Sequence, residues 1–271
     1  MPRAIWRGTI SFGLVTIPVS VLTAEQPREL AFHMVDDRDL TPIRNKRVNE
    51  STGTEVPWEH IAKSFETEPG HTVLVTDDDL RAANVEATQT IDVLAAVCAE
   101  EIHPQLFSAP YYLVPEKAGR KPYLLLREAL KSAKRVALAK VVIRTRQHLC
   151  ALVPDGDMLL LELLRYPYEL MGTDDLEIPG SDGAAAKDLG VTTAELNLAT
   201  QLVSTISRGF DPDAAEYRDT YHDDLLALLR GKAAGEPVPP AVAEAPAKAG
   251  EVVDIVELLK RSLSEAKQAK A

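Results

Sequence analysis

Trp6-Arg7-Gly8-Thr9-Ile10-Ser11-Phe12-Gly13-Leu14-Val15-Thr16-Ile17-Pro18-Val19-Ser20-Val21 is the stretch whose reading decides the fold. Arg3 and Arg7 precede an uncharged run, so the segment imitates a secretion signal. A signal needs a contiguous apolar helix, however, and here Thr9, Ser11, Thr16 and Ser20 interrupt the apolar residues. Gly13 and Pro18 would break a helix in any case. The period is two. Trp6, Gly8, Ile10 and Phe12 share one face, and Val15, Ile17, Val19 and Val21 alternate with Thr16, Pro18 and Ser20. Two half-buried strands joined near Gly13 follow from that pattern.

Working outward, strand-like runs continue at residues 30–35, 43–48, 72–75, 90–97, 111–114, 136–145, 148–153 and 158–164. Many short strands with turn residues between them point to a barrel, which removes exposed edges by closing. Helical signals are few in this region. Thr76 before Asp77, Asp78 and Asp79 reads as a capped helix start, and residues 123–135 read as one amphipathic helix. After residue 190 the character changes. Thr192 and Glu195 fit a capping box, and Leu196, Ala199, Leu202, Val203 and Ile206 form a helical stripe. A second stripe, Tyr217, Tyr221, Leu225 and Leu228, is expected to stop at Gly231. The Ala-, Pro- and Glu-rich residues 232–250 read as an extended linker. In the last segment Val252, Val256, Leu259, Leu263 and Ala266 form a seam suited to a partner helix or groove.

The chain has 271 residues, 45% hydrophobic and 26% charged, which is ordinary globular composition with room for a real core. Two cysteines, Cys98 and Cys150, cannot build a disulfide framework or a four-cysteine zinc site, and a reducing compartment is the simplest reading. No segment is long and apolar enough to span a membrane. The net charge of −11 argues against a nucleic-acid partner until its distribution is seen. Residues 117–146 hold ten basic residues against the single acid Glu128, while residues 151–235 hold six basic and sixteen acidic. Runs of charge are ordinarily solvated faces. Here the density and the missing counter-charges argue for a polyanionic partner. A smaller set, Arg44, Lys46 and Arg47, precedes Asn49, Ser51 and Thr52. Cations mixed with small hydroxyl and amide groups suit phosphate and sugar contact without base reading.

Several chemistries are missing from the sequence. No two glycines sit two apart, so there is no G-x-G dinucleotide loop, and C-x-x-C, H-E-x-x-H and G-x-S-x-G do not occur. The six histidines are scattered, and a lone strand histidine such as His33 or His148 reads as structural. The Asp77–Asp79 run reads as a helix N-terminus rather than a cation site. Nothing assembles a nucleophile, base and oxyanion donor. No enzyme, metal or cofactor is expected.

The opening Arg3-Ala4-Ile5-Trp6-Arg7-Gly8-Thr9-Ile10-Ser11-Phe12-Gly13-Leu14-Val15-Thr16-Ile17-Pro18-Val19 closely resembles the start of bacterial Ku proteins. So do Tyr111-Tyr112-Leu113-Val114-Pro115, Tyr123-Leu124-Leu125-Leu126-Arg127 and the helix at residues 221–229. The resemblance implies a mainly β protein with helices (α+β): a Ku-type β-barrel core with a bridge insertion and a helical C-terminal arm. On that reading residues 1–190 are the core, with the bridge at about 41–70. Residues 191–231 are then the dimerisation arm and residues 251–271 a partner-binding helix.

The resemblance further implies a cytoplasmic, nucleoid-associated homodimer that rings double-stranded DNA ends and recruits ligase D for non-homologous end joining. Carried over by position, Arg44, Lys46, Arg47, Ser51, Thr52 and Lys63 line the inside of the bridge. Arg120, Lys121, Arg144 and Arg146 belong to the cradle beneath the duplex, the last two pointing the same way on one strand. Val252, Val256, Leu259 and Leu263 meet the ligase. Many bacterial members carry a C-x-x-C in the bridge where this chain has Asn49-Glu50-Ser51-Thr52, so no metal staple is expected there. Two other classes remain to be separated by experiment: a protein-interaction scaffold whose basic face meets an acidic protein, and an unrecognised hydrolase.

Overall fold

A computed structural model describes residues 3–26, 30–83, 89–180, 183–237 and 255–269. The chain divides into two compact units, residues 1–172 and 173–271. The first is built on a closed barrel. The opening stretch forms β1 (Trp6–Phe12) and β2 (Val15–Thr23), turned at Gly13, whose φ of +61° lies in the left-handed region that glycine adopts freely. Their antiparallel register sets Ile10 against Ile17 and Gly8 against Val19. Ile10, Ile17, Val19 and Val21 are fully buried, as the period-two pattern requires.

The other barrel strands are β5 (Thr90–Val97), β6 (Phe107–Pro115), β7 (Val136–Ile143), β8 (Arg146–Asp155) and β9 (Met158–Leu164). Around the barrel the order is β1-β2-β6-β9-β8-β7-β5. Closure comes from a parallel pairing of β1 with β5, Ile10 opposite Ile91, where the Thr9 amide donates to the Gln89 carbonyl at 2.9 Å. Gly8 permits that approach, since a Cβ there would lie 2.1 Å from the Gln89 oxygen. Inward positions on β7, β8 and β9 (Ala139, Val141, Cys150, Leu152, Leu159 and Leu161) join the first hairpin in one core.

The registers give the barrel two different mouths. At one gather the β1–β2 turn, the end of β6 and the β8–β9 turn. Here α2 (Arg120–Ala133) packs on β2 and β8. Its Tyr123, Leu126 and Leu130, three and four apart, are buried in the barrel core, whereas Leu124 and Leu125 on the other faces are exposed. The Tyr123 hydroxyl donates to the Leu113 carbonyl at 2.9 Å and accepts from the Leu159 amide at 2.6 Å, stitching α2 to two strands. The opposite mouth collects the start of β1, the end of β2, the start of β6, the β7–β8 turn and the end of β9.

Between β2 and β5 the chain forms a two-stranded sheet, β3 (Lys63–Glu68) with β4 (His71–Val75), followed by α1 (Asp77–Ala82). Thr76 and Asp79 cap α1 reciprocally, as expected. The runs at 30–35 and 43–48, expected as strands, are not strands. Only isolated bridges form there, Val35 with Pro42 and Val48 with Glu55. Alternation alone does not make a strand where no neighbouring ladder covers it, and apart from Asp36 and Val56 every residue from 31 to 74 is exposed.

The second unit holds α3 (Gly183–Asp188), α4 (Thr193–Ile206), α5 (Thr220–Ala233) and α6 (Ile255–Ala269). The capping box is present, with the Thr192 hydroxyl accepting from the Glu195 amide at 3.3 Å and the Glu195 carboxylate accepting from the Thr192 amide at 2.6 Å. Contrary to the sequence reading, α5 passes through Gly231. It ends at Ala234, and the left-handed residue is Gly235, φ +82°. A glycine inside a helix costs about 1 kcal/mol but does not stop it.

Candidate nucleic-acid interface

The basic residues of the 117–146 block do not form one surface, because their local structure uses them differently. At the α2 mouth three are engaged by the protein itself. Arg127, whose side chain is only 14% exposed, chelates Glu128 at 2.7 and 2.9 Å and reaches the Asp157 carbonyl. Lys131 donates to the Gly156 carbonyl, so both side chains clasp the β8–β9 turn. Arg135 donates to the Cys98 thiol. Arg120 and Lys121 stand exposed on the first turn of α2.

Arg144 and Arg146 belong to the other mouth, at the far end of the barrel from Arg120 and Lys121. The expectation that they lie on one strand is corrected. Ile143 pairs with Arg146, so Arg144-Thr145 is a two-residue turn, with Arg144 at φ +60°. A residue with a Cβ adopts that conformation at a cost of about 1 kcal/mol. Arg146 opens β8 and pairs with Glu169 at 2.5 Å. The Glu169 carboxyl is lowered by the Tyr166 amide first and by Arg146 second, and hydrogen bonding to Glu169 raises Arg146. His148 lies behind them, its pKa lowered by burial first and by the Arg146 charge second.

Two further arginines complete this mouth, and the sequence reading missed their role. Arg3 lines a cavity of about 620 Å³ together with Arg144, His148, Tyr111 and Thr23. Arg165 lines an adjoining one of about 320 Å³ with Arg146, His148 and Glu169, and donates to the Gln105 and Phe107 carbonyls. Arg3 looked like part of a leader-like start. The register of the first hairpin held the signal, since it puts the residues before β1 at the same barrel end as the β7–β8 turn.

Of the residues expected to line a bridge, Lys46, Arg47, Ser51 and Thr52 lie on or beside one small hairpin. Val48 bridges to Glu55, and the amides of Asn49 and Val56 donate to the Thr54 and Arg47 carbonyls, each at 2.8 Å, making a small hairpin. At its tip the Asn49 side chain accepts from the amides of Ser51 and Thr52 at 3.0 and 3.2 Å. An Asx turn thus shapes the tip at Asn49-Glu50-Ser51-Thr52. The Thr52 and Thr54 hydroxyls meet at 2.6 Å. Lys46 pairs with Glu55 at 2.7 Å, and Arg47 lies over the Trp58 ring at 4.4 Å. Lys63, at the start of β3, is 3.5 Å from Asp77. Arg44 is exposed nearby.

In the second unit the seam has a partner inside the chain. α6 packs along α4, and its covered positions are Val256, Leu259, Leu263 and Ala266, the expected set. Val252 lies outside the described residues, as does most of the Pro-rich stretch before it. On α4, Leu198, Ala199 and Leu202 are half-buried while Leu196, Val203 and Ile206 are exposed, so the single stripe read from the sequence is two faces.

Comparison with known proteins bears on these features together. The family model for the Ku70/Ku80 beta-barrel domain matches residues 11–193. A protein of Opitutus terrae named Non-homologous end joining protein Ku is 39% identical over 263 residues, covering 97% of this chain and 92% of that one. Its namesakes in Cupriavidus necator and Pseudomonas aeruginosa are 40% and 43% identical, cover 98% and 97% of this chain, and are themselves covered over 78% and 88% of their lengths. A solved SPOC domain of human PHD-finger protein 3 is similar over 60% of this chain and 97% of that chain at 11% identity and a TM-score of 0.32, too distant to bear on function. With the family model spanning every barrel strand except most of β1, and relatives aligned over nearly the whole length, the chain belongs to the Ku family.

Proposed function

We propose that this protein is a non-catalytic homodimer that encircles the ends of double-stranded DNA without reading sequence and brings ligase D to the break. The observation that carries the reading is identity of about 40% over nearly the whole chain to proteins named for non-homologous end joining. Two physical features support it. The stretch from residue 32 to 74, which contains the expected bridge, exposes Phe32, Met34, Leu40, Trp58, Phe65 and Leu74, each at 63% or more. Apolar exposure on that scale marks a surface that another protein covers, and a second copy of the same chain satisfies it with two-fold symmetry. The exposed cations, Arg44, Arg120, Lys121, Arg144 and Arg146 among them, offer phosphate contacts with no base-reading element. A ring closed by dimerisation is entered only at a free end, so geometry supplies the specificity that base contacts do not.

The ligase is proposed to bind through Val256, Leu259 and Leu263. Because α6 already uses that side against α4, docking there requires α6 to leave α4. The test is an electrophoretic shift titration on linear duplex and on closed circles of the same sequence. About four phosphate-bound cations per subunit give about eight per dimer and a log–log salt slope of about −7 on linear DNA. Circles should compete weakly. Equal affinity for circles and ends would overturn the reading, and no affinity for either would favour a scaffold for an acidic protein.

A further inference from the structure

We propose that the open mouth of the barrel is a binding site for a phosphate monoester, held by the guanidinium groups of Arg3 and Arg144 with the Tyr111 hydroxyl as a neutral donor, beside Thr23, whose own hydroxyl donates to the Glu25 carbonyl at 3.4 Å. The cavity of about 620 Å³ is lined by these four residues, by His148, and by the apolar side chains of Ile5, Ile143 and Leu163. No carboxylate lines it. Among the described residues neither Arg3 nor Arg144 is paired with an acid, which sets them apart from the neighbouring arginines. In the adjoining cavity of about 320 Å³, Arg146 is neutralised by Glu169 and Arg165 is bound to two backbone carbonyls. The two compartments share His148 and Leu163. In one the arginines have partners in the protein, and in the other the cations face no carboxylate.

The choice of ligand follows from the donors. Each guanidinium presents a planar fork that matches two oxygens of a phosphate. Two forks need at least three unesterified oxygens to be used fully. A monoester dianion has three, whereas a diester within a strand has two. Apolar walls beside the cations lower the local dielectric and strengthen the attraction for a dianion. The left-handed Arg144 fits this picture, because the tight turn, fixed by the Ile143–Arg146 pairing, holds its residue at the rim. Such strain is retained where the surroundings impose it, and it gathers at binding sites.

A monoester of this kind has two sources, the 5′-phosphate of a DNA strand or a small phosphorylated solute. The first rests on the end-binding reading and the second does not. The experiment uses the full-length protein, wild type and the variants Arg3→Gln, Arg144→Gln and Arg144→Lys, with thermal melting to verify folding. One arm titrates inorganic phosphate by calorimetry. The other measures affinity for a linear duplex with 5′-phosphate against the same duplex with 5′-hydroxyl ends. Wild type should bind phosphate, and both Gln variants should lose at least about tenfold, with Arg144→Lys intermediate because it keeps the charge but not the fork. A 5′-phosphate preference that vanishes in the Gln variants assigns the site to the strand terminus. Phosphate binding without an end preference assigns it to a solute, and stands even if circles bind as well as ends. No phosphate binding and no end preference overturns the site. So does an equal loss on both duplexes with phosphate binding unchanged, which would leave Arg3 and Arg144 as ordinary backbone contacts and the end-binding reading intact.

Discussion

The two mouths of the barrel carry similar cations and use them in opposite ways. At the α2 mouth Arg127, Lys131 and Arg135 point at the Asp157 carbonyl, the Gly156 carbonyl and the Cys98 thiol. At the open mouth Arg3 and Arg144 line a cavity without carboxylates, and Arg146 is paired with Glu169. Charge density along the sequence does not separate these cases. What separates Arg127, Lys131 and Arg135 from Arg3 and Arg144 is whether a fixed acceptor of the protein lies within reach. At the α2 mouth the helix brings its basic side chains down onto the β8–β9 turn, while at the other end the strands simply stop. Arg127, Lys131 and Arg135 are thus parts of the fold, whereas Arg3 and Arg144, like Arg120 and Lys121 on the first turn of α2, are not engaged in this way.

The largest effect that would sharpen this contrast is at Leu126. It is 2% exposed and sits with Tyr123 and Leu130 in the barrel core. Leu126→Ala should lower unfolding stability by about 3 kcal/mol, read by chemical denaturation, because it removes buried methyls and leaves a cavity. The salt slope of DNA binding by the folded fraction should not change. A shallower slope in this variant would mean that packing at Leu126 also positions the phosphate contacts proposed at Arg120 and Lys121.

Next in size is the reverse experiment. Arg144→Ala with Arg146→Ala removes two cations per subunit at the open mouth, four per dimer. The log–log salt slope should become less negative by about 3.6, taking about 0.9 per phosphate contact. Stability should change by no more than about 0.5 kcal/mol, since both residues are exposed and the Arg146–Glu169 pair is a surface ion pair. A full slope in the double variant would remove this mouth from the interface and leave the bridge and the first turn of α2 as the only proposed DNA contacts.

The contrast also explains what could be read in the sequence. The barrel was legible because each strand is covered on one face. That forces period two at Ile10, Ile17, Val19 and Val21, and the run at 90–97 matches β5 to the residue. The runs at 30–35 and 43–48 misled because their alternation is not answered by a neighbouring ladder. The helical caps at Thr76 and Thr192 were legible because a cap is a local event within four residues. The α6 seam was legible as a covered face, but not its partner α4, since helix-to-helix pairing across a linker leaves no local mark. The open mouth was the least legible. Arg3, the hairpin residues Arg144 and His148, and Arg165 come from three separate places in the chain, and only strand register brings them to one rim. Basic-residue counting named Arg144 and Arg146, which lie within the charge block, and passed over Arg3 and Arg165.

The smallest effect tests whether the barrel between the mouths stays closed. Cys150 is fully buried on β8, its thiol pushed up to about 12 by burial, and Cys98 lies half-exposed beside Arg135. The thiolate is the species that alkylates. At pH 8 a thiol of pKa about 12 is ionised to only about one part in ten thousand. Iodoacetamide should therefore modify Cys98 in the native protein and leave Cys150 untouched until denaturant is added, which mass spectrometry of the peptides reads directly. Labelling of Cys150 at the rate set by global unfolding would fit a single cooperative barrel. Faster labelling would mean that the open mouth admits solvent to the core on its own. Its arginines would then be attached to a fraying edge, and a mouth that frays cannot hold two guanidinium forks in the fixed geometry that a bound dianion demands.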